Sequence, residues 1–327
     1  MLDSLQKATD QKGRLSYEDF SRIAAFDPLA GYYTKPRKRV GRSQETDFYT
    51  AASLGKVFGK LVTAAAIDLL GSEKEAERHV FVEIGAEPGT SILEDVGHPF
   101  PETLVLRLGD ALQIPEKAVV FANEWLDSLP FHRIRFDEEQ GWQELGIVIE
   151  EEGVREIILP ELSAPVQEIH HRLPVTSSHN YLLDLPLGAI DGLREISSQP
   201  WRGAFLTFDY GKSWEELTQV HPKGTARVYE SHRTHGDLLA NPGKVDLTCH
   251  LCWDFLVEVL EEEGFSDILL ERQESFLMQH AAGAIREIIE NNAPGLDEER
   301  QTMQELLHPS LMGNAFQVLA SKRLSSD

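Results

Sequence analysis

The sequence predicts an α/β fold, in which a mostly parallel sheet carries added helices and an inserted antiparallel meander. Three observations support this prediction. Apolar runs of strand length alternate with segments whose apolar residues recur at helical spacing, as in a sheet covered by helices. Several of these runs are continuously apolar, which is typical of parallel strands buried on both faces. Within residues 131–180 the pattern changes to strands joined by short turns, which predicts a meander.

The first half of the core follows in order along the chain. Residues 53–70 have apolar side chains at helical spacing and stop at Gly71, which predicts an amphipathic helix that ends at a glycine. Residues 79–85 and 103–110 each predict a strand that runs into a glycine. The continuous apolar run of residues 118–124 predicts a third strand, of the kind found in parallel sheets.

The second half of the core resumes after the meander. Residues 201–211 repeat the pattern of a buried strand, and residues 251–263 and 276–290 have the apolar spacing of amphipathic helices. The segment 311–323 predicts a final strand.

Composition narrows the classes of function. Of 327 residues, 41% are hydrophobic, which is enough for a globular core. There are 31 Lys and Arg residues against 54 Asp and Glu residues, which gives a net charge of −23. This charge disfavours binding to nucleic acid and is compatible with a cationic substrate, such as an arginine-bearing protein segment. The two cysteines form no disulfide framework, and the sequence shows neither a targeting signal nor an apolar run of membrane-spanning length. We therefore expect a cytoplasmic protein without a membrane partner. The oligomeric state stays open.

The loop after the first core strand, VEIGAEPGTSILE at residues 82–94, has the pattern of a nucleotide-binding turn. Glu83, Gly85 and Gly89 fit E-x-G-x-G-x-G, the first loop of class I S-adenosylmethionine (SAM) methyltransferases, although Glu87 stands in place of the middle glycine. A dinucleotide loop fits less well because its third glycine is missing, which disfavours a nicotinamide oxidoreductase. An ordinary strand-to-helix turn is the structural alternative.

The segment NEWLDSLPF places three polar side chains directly after the third strand: Asn123, Glu124 and Asp127. In open α/β sheets the ligand crevice lies at the carboxyl ends of the strands. Two carboxylates there can hold a guanidinium group through paired hydrogen bonds. The alternative is that Asn123 and Asp127 cap a helix.

Two later segments add further candidates. Asp209 ends the apolar strand of FDYGKS, and residues 224–254 contain His232, His235, Asp246 and His250. Histidine is the natural proton acceptor near neutral pH, whereas the alternatives are a strand-ending turn for Asp209 and structural roles for the histidines.

The pair Cys249 and Cys252 invites a zinc site. One such pair cannot complete a tetrahedral set of ligands and no second pair exists, so we predict no metal.

The motifs occur in one order along the chain: FDPLAGYY, TDFYT, FGK, VEIGAEPGT, ANEWLDSLP, FDYG, GTARVYESHR, NPGKVDLTCHLCW and LMGNAFQVLA. In this order the chain resembles the MidA-type SAM-dependent methyltransferase family, which includes the mitochondrial complex I assembly methyltransferase, from about Asp19 to Arg323. The resemblance implies a seven-stranded, Rossmann-like class I methyltransferase sheet, SAM as cofactor, and a protein substrate or partner. For at least one family branch it implies methyl transfer to a protein arginine.

The resemblance also implies roles for individual residues. Glu124 and Asp127 would fix the guanidinium, and His232 would remove its proton. The positions carried onto the cofactor site are Glu83, Gly85, Gly89, Asp47, Thr50, Asn123 and Asp209. The chain departs from the family pattern at Thr46, at Ala52–Ser53 and at Glu87, and by the short span of residues 90–122. The alternative function is therefore a catalytically impaired, methyltransferase-like protein that acts as an assembly or partner-binding factor.

We predict three parts in the chain. Residues 1–72 form an N-terminal helical and loop segment that covers the cofactor cleft. Residues 73–130 and 181–327 form the methyltransferase-like core, and residues 131–180 form the inserted meander with a short helix.

Overall fold

The computed structural model describes residues 1–35, 55–150, 153–230, 233–290, 297–313 and 316–323. Three predicted site residues, Asp47, Thr50 and His232, lie outside these ranges. The described residues form helices and four sheets, so the predicted α/β class is confirmed in this general form.

The strands are, in chain order, β1 (Arg14–Ser16), β2 (Val80–Ile84), β3 (Thr103–Leu106), β4 (Lys117–Asn123), β5 (His132–Asp137), β6 (Gly141–Glu150), β7 (Gly153–Ile158), β8 (Leu182–Leu185), β9 (Arg202–Asp209), β10 (Gly211–Lys212), β11 (Arg227–Glu230), β12 (Arg233–His235), β13 (Asp246–Thr248), β14 (Leu251–Cys252), β15 (Ser266–Arg272) and β16 (Gln317–Arg323). The α-helices are α1 (Leu2–Ala8), α2 (Tyr17–Phe26), α3 (Lys56–Leu70), α4 (Glu73–Ala76), α5 (Ala164–Ile169), α6 (Leu187–Ser197), α7 (Trp214–Gln219), α8 (Trp253–Glu262), α9 (Gln273–His280), α10 (Ala282–Glu290) and α11 (Asp297–Leu307).

The largest sheet has six strands in the order β15-β16-β9-β4-β2-β3. The β3–β2, β2–β4 and β4–β9 pairs are parallel, whereas β16 runs antiparallel to both β9 and β15. The resemblance implied seven strands, and the described sheet has one fewer. The reason is local, because residues 107–116, between β3 and β4, contain no helix or strand and leave no room for a further crossover unit.

Both faces of this sheet are buried, which explains the continuously apolar runs. Along β4, Val119 and Phe121 face one apolar cluster, while Val120 and Ala122 face the other. Helices α3, α9, α10 and α11 cover the first face, and α6 and α8 cover the second.

Two predicted helices show how local signals set helix ends. Helix α3 ends where expected, because Gly71 adopts a left-handed conformation with φ of +87° and its N–H donates to the carbonyl of Asp68. The single helix predicted over residues 276–290 is instead two helices, α9 and α10, which break at Ala281. The main chain at Ala281 has φ of −121° and ψ of 19°, outside the helical region.

A second sheet contains the predicted meander. Strands β5, β6 and β7 pair antiparallel in succession, as the turn pattern indicates. Strands β1 and β8, from outside residues 131–180, pair with β6 and β5 and extend this sheet. The three-part division of the chain stays a prediction.

A small ribbon completes the part of the fold that positions the site. Strands β12, β11 and β13 pair antiparallel, and Tyr229 lies directly opposite Asp246. Strands β10 and β14 form a short parallel pair next to it. Among the residues described, no helix combines the length and apolarity needed to cross a membrane.

Candidate active site

The carboxyl ends of three neighbouring strands bring the sequence motifs together. Ile84 at the end of β2 lies beside Ala122 of β4, and Asn123 lies beside Phe208 of β9. The glycine loop, the NEWLDSLP segment and the FDYG segment therefore start at one edge of the sheet, where α/β proteins bind ligands.

Glu83 holds the glycine loop from inside. Only 5% of this residue is exposed, and its carboxylate accepts hydrogen bonds from Ser91 Oγ at 2.7 Å and from the N–H of Ile92 at 2.9 Å. Burial raises the pKa of Glu83, whereas these hydrogen bonds and the nearby Arg107 charge act to lower it. Glu83 therefore shapes the loop that follows β2.

The two glycines are required by the backbone. Gly85 has φ of +78° and Gly89 has φ of +75°, values that favour glycine. At Gly85 a Cβ would also lie only 2.8 Å from the indole of Trp125, so this position leaves no room for a side chain.

Glu87 lies in a turn that Arg107 braces from outside. The carbonyl of Glu87 accepts from the N–H of Thr90 at 3.2 Å and from Arg107 Nε at 3.4 Å. Arg107 Nη2 also donates to the carbonyl of Thr90 at 2.6 Å. Sequence reasoning missed Arg107, because its role depends on β3 lying beside β2, a pairing that no local pattern in the sequence indicates.

Glu124 is aimed by an unusual backbone conformation. Its φ of +48° is left-handed, and its N–H donates to the carbonyl of Phe208 at 2.9 Å. Its carboxylate accepts from Asn123 Nδ2 at 3.0 Å and from the Tyr210 hydroxyl at 3.4 Å. Oδ1 of Asn123 is buried without a hydrogen-bond partner.

The helix-cap alternative for this segment is wrong. The residues after Asn123 form only a short 3₁₀ turn, Leu126–Ser128, whose N-cap is Trp125 without a side-chain cap. Asn123 and Asp127 are therefore available for other roles.

Three buried aspartates lie close behind Glu124. Asp127, Asp209 and Asp246 are 6%, 0% and 4% exposed. Asp209 accepts from the N–H of Tyr210 at 2.7 Å and from the N–H of Asp127 at 3.3 Å. Burial raises the pKa of Asp127 and of Asp209 well above the usual range, and the charges of Asp209 and Asp246 raise that of Asp127 further. Together with Glu124 these side chains form what we call the acidic pocket.

Aromatic rings and one arginine line the acidic pocket. The Tyr33 hydroxyl donates to Asp246 Oδ1 at 2.7 Å. The guanidinium carbon of Arg227 lies 5.4 Å from the ring centres of both Tyr210 and Tyr229. Sequence reasoning missed these four residues. Packing between segments that are far apart in the sequence brings these residues together, and no local pattern indicates it.

The remaining candidates have separate positions. His232 lies outside the described residues, and His250 stacks parallel to Tyr210, with ring centres 6.5 Å apart. Cys249 and Cys252 are buried free thiols, and burial raises the pKa of Cys252 to about 12. In the described ranges no three His, Cys, Asp or Glu side chains are grouped to hold a metal ion.

Comparison with known families identifies the class of this protein. Residues 101–269 match the family model described as "Putative S-adenosyl-L-methionine-dependent methyltransferase". The match covers just over half of the chain, and the chain belongs to this family. The resemblance to MidA-type methyltransferases is thereby confirmed, together with the enzyme class and SAM as the cofactor.

Curated relatives and solved structures agree with this assignment. The mitochondrial protein arginine methyltransferase NDUFAF7 homolog of Drosophila melanogaster is 22% identical, over 94% of this chain and 81% of that protein. The mitochondrial protein arginine methyltransferase NDUFAF7 of Xenopus tropicalis is 21% identical, over 76% and 68%. A superfamily member from Burkholderia thailandensis bound to S-adenosyl-homocysteine has a TM-score of 0.85 and 23% identity, over 98% of this chain and 91% of that chain, and it shows the same fold.

These comparisons contradict the predicted cytoplasmic location, because both curated relatives are mitochondrial proteins. The prediction rested on two unpaired cysteines and on the character of the first residues. Free thiols indicate a reducing environment, but they do not distinguish one reducing compartment from another.

Proposed function

We propose that this methyltransferase transfers the methyl group of SAM to an arginine side chain of a protein acceptor. The observation that supports this proposal most directly is the acidic pocket at the strand ends, with Glu124 at its front and three buried aspartates behind it. A guanidinium is the protein group whose charge and planar hydrogen-bond donors suit such a pocket. Both curated relatives are named protein arginine methyltransferases.

The cofactor side of the cleft fits SAM in this proposal. Gly85 and Gly89 let the backbone lie against the cofactor, with Glu83 holding the loop in place. The unpartnered Oδ1 of Asn123 can accept a hydrogen bond from the cofactor's ammonium group. The predicted cofactor roles of Asp47, Thr50 and Asp209 stay predictions.

Glu124 and Asp127 hold the acceptor in this mechanism. Glu124 is already oriented by Asn123 and Tyr210, so little freedom is lost when it binds a guanidinium. The added positive charge of the acceptor beside Asp127 favours the charged form of this carboxyl group, which burial disfavours. The first effect limits the orientations of the guanidinium, and the second strengthens its binding.

Bound SAM supplies an electrophilic methyl group. Transfer of this methyl group to a guanidinium nitrogen would leave the electron pair of the broken carbon–sulfur bond on sulfur. The methylated nitrogen must then lose a proton. His232 is the predicted acceptor, and Asp246 is a carboxylate in the same pocket that can also hold a proton.

We also propose the finer fold assignment, a Rossmann-like class I methyltransferase sheet that lacks one outer strand. The strand order β16-β9-β4-β2-β3 supports this assignment. The cofactor loop follows β2, which lies between β4 and β3, and the antiparallel strand β16 lies beyond β9. The short β3 then takes the outer position at that edge.

Glu124→Gln tests the proposed function. The amide keeps the shape of the side chain but loses its charge, so methyl transfer to arginine peptides should fall about 100-fold or more. Mass spectrometry of the peptides measures the product, and calorimetry with SAM should show unchanged cofactor binding. The exposed Glu138→Gln is the matched control. Undiminished arginine methylation by Glu124→Gln would refute the proposed role.

A further inference from the structure

A group of nitrogen-bearing side chains lies next to the acidic pocket, and we call Lys212, Arg227 and His250 the basic group. The parallel pairing of β10 with β14 sets Gly211 beside Leu251, with Lys212 one residue after this pair on its strand and His250 one residue before it on the other. Arg227 starts β11 and reaches the ring of Tyr210, on which His250 also stacks. The grouping is unexpected in a chain of net charge −23.

Three buried nitrogen atoms of the basic group have no hydrogen-bond partner. They are Nδ1 and Nε2 of His250 and Nε of Arg227. Buried polar atoms are nearly always paired, and an unpaired one costs about 1–3 kcal/mol. Because stacking on Tyr210 orients the histidine ring, the unmet hydrogen bonds point to a ligand that supplies the partners.

The charge of the basic group indicates what kind of ligand it takes. Burial, together with the nearby charges of Arg227, Lys212 and His221, lowers the pKa of His250 to about 3. His250 is thus neutral and offers one N–H donor, and two cationic side chains lie near it, of which Lys212 has its ammonium nitrogen 3.8 Å from Glu216 Oε1. An oxygen anion can accept hydrogen bonds from the N–H groups of His250 and Arg227 and from the ammonium group of Lys212.

The fold holds Arg227 firmly in this position. Asp184, which is 1% exposed, accepts from the N–H groups of Thr225 at 2.6 Å and Ala226 at 2.8 Å. The same carboxylate pairs with Arg133 at 2.5 Å. Because these bonds fix the residues just before Arg227, the arginine stays over the rings of Tyr210 and Tyr229.

Tyr210 connects the two charged regions. Its hydroxyl contacts Glu124 in the acidic pocket, and its ring contacts Arg227 and His250 in the basic group. A ligand on the basic group therefore lies across one tyrosine from the place where the acceptor's guanidinium would bind.

We propose that Lys212, Arg227 and His250 form a binding subsite for a carboxylate of the acceptor. This inference rests on the proposed function and deepens it, because it makes the preferred acceptor an arginine with an acidic side chain close by. The acidic pocket takes the arginine, and the basic group takes the acid.

Acetate is the probe for the subsite itself. We would label the histidine rings with ¹³C, assign the His250 signal with His250→Gln, and titrate sodium acetate against sodium chloride at constant ionic strength. The His250 signal should shift and saturate. In Lys212→Gln and Arg227→Gln the dissociation constant should rise about fivefold or more. Arg78→Gln, an exposed arginine paired with Glu75, is the matched control and should leave the titration unchanged.

The outcomes are separable. The absence of a saturable shift, or the same acetate dissociation constant in Lys212→Gln and wild type, would overturn the subsite. The Lys212→Gln variant keeps this test valid if Arg227→Gln folds poorly. The cofactor is a second source of a carboxylate. If S-adenosyl-homocysteine abolishes the acetate shift while methylthioadenosine, which has no carboxylate, does not, the carboxylate is the cofactor's and the acceptor assignment is overturned.

Paired peptides then test the link to the acceptor. A peptide with Asp beside its arginine should be methylated with a kcat/KM at least fivefold higher than its Asn counterpart, and Lys212→Gln should remove this preference. Equal rates for both peptides in wild type would overturn the carboxylate preference while leaving arginine methylation intact. If no arginine is methylated, the proposed function fails, and the acetate titration still decides whether the subsite exists.

Discussion

Glu124 shows at the level of one residue how backbone strain serves the site. A left-handed φ of +48° is unfavourable for a side chain with a Cβ, and costs about 1 kcal/mol or more. The hydrogen bond to Phe208 and the contacts with Asn123 and Tyr210 hold the residue there. The strained conformation therefore turns the carboxylate toward the cleft at the end of β4.

Asp127 gives a prediction about pH and stability. Its pKa is raised in the folded state, so its stabilising contribution is complete below the unfolded value of about 4 and is lost as pH rises through the folded pKa. Asp127→Asn cannot ionise and should not lose this stability. From pH 5 to 9, its unfolding free energy should gain about 1 kcal/mol or more relative to wild type.

Urea unfolding at several pH values measures this difference. The exposed Asp191→Asn, on α6, is the control and should follow the wild-type profile. Parallel profiles for wild type and Asp127→Asn would show that burial does not shift this carboxyl group.

At the level of elements, the glycine loop could be predicted only in part. Glu83, Gly85 and Gly89 were identified because their spacing reflects local backbone needs that a sequence displays directly. Position 87 is not among the described residues with positive φ, so its main chain does not need the glycine that the family pattern has there. The brace from Arg107 could not be predicted, because it depends on which strand lies next to β2.

Arg107→Gln tests the brace. The change removes the hydrogen bonds to the carbonyls of Glu87 and Thr90, so the loop should lose order and SAM should bind about tenfold more weakly. Calorimetry measures the SAM affinity, and the KM for the acceptor should stay unchanged. Arg78→Gln serves again as the control. A fall in kcat without loss of SAM affinity would contradict this role.

For the whole molecule, the sequence identified the layers better than the connections. Apolar runs predicted the central strands, because burial on both faces leaves a local signal, and β4 and β9 lie where expected. The pairing of β1 with β6, and the approach of β11 to the strand ends, join residues far apart in sequence and leave no such signal. For that reason Tyr33, Tyr210, Arg227 and Tyr229 were not recognised as parts of the site.

The acidic pocket has a consequence for the whole binding reaction, which is proton linkage. Burial raises the pKa values of Asp127 and Asp209, and the added charge of an acceptor guanidinium lowers them, so acceptor binding should release protons. The affinity for an arginine peptide should therefore rise with pH until both groups are ionised. Calorimetry in two buffers of different ionisation enthalpy counts the protons directly. Equal heats in both buffers would show that the aspartates do not change their charge on binding.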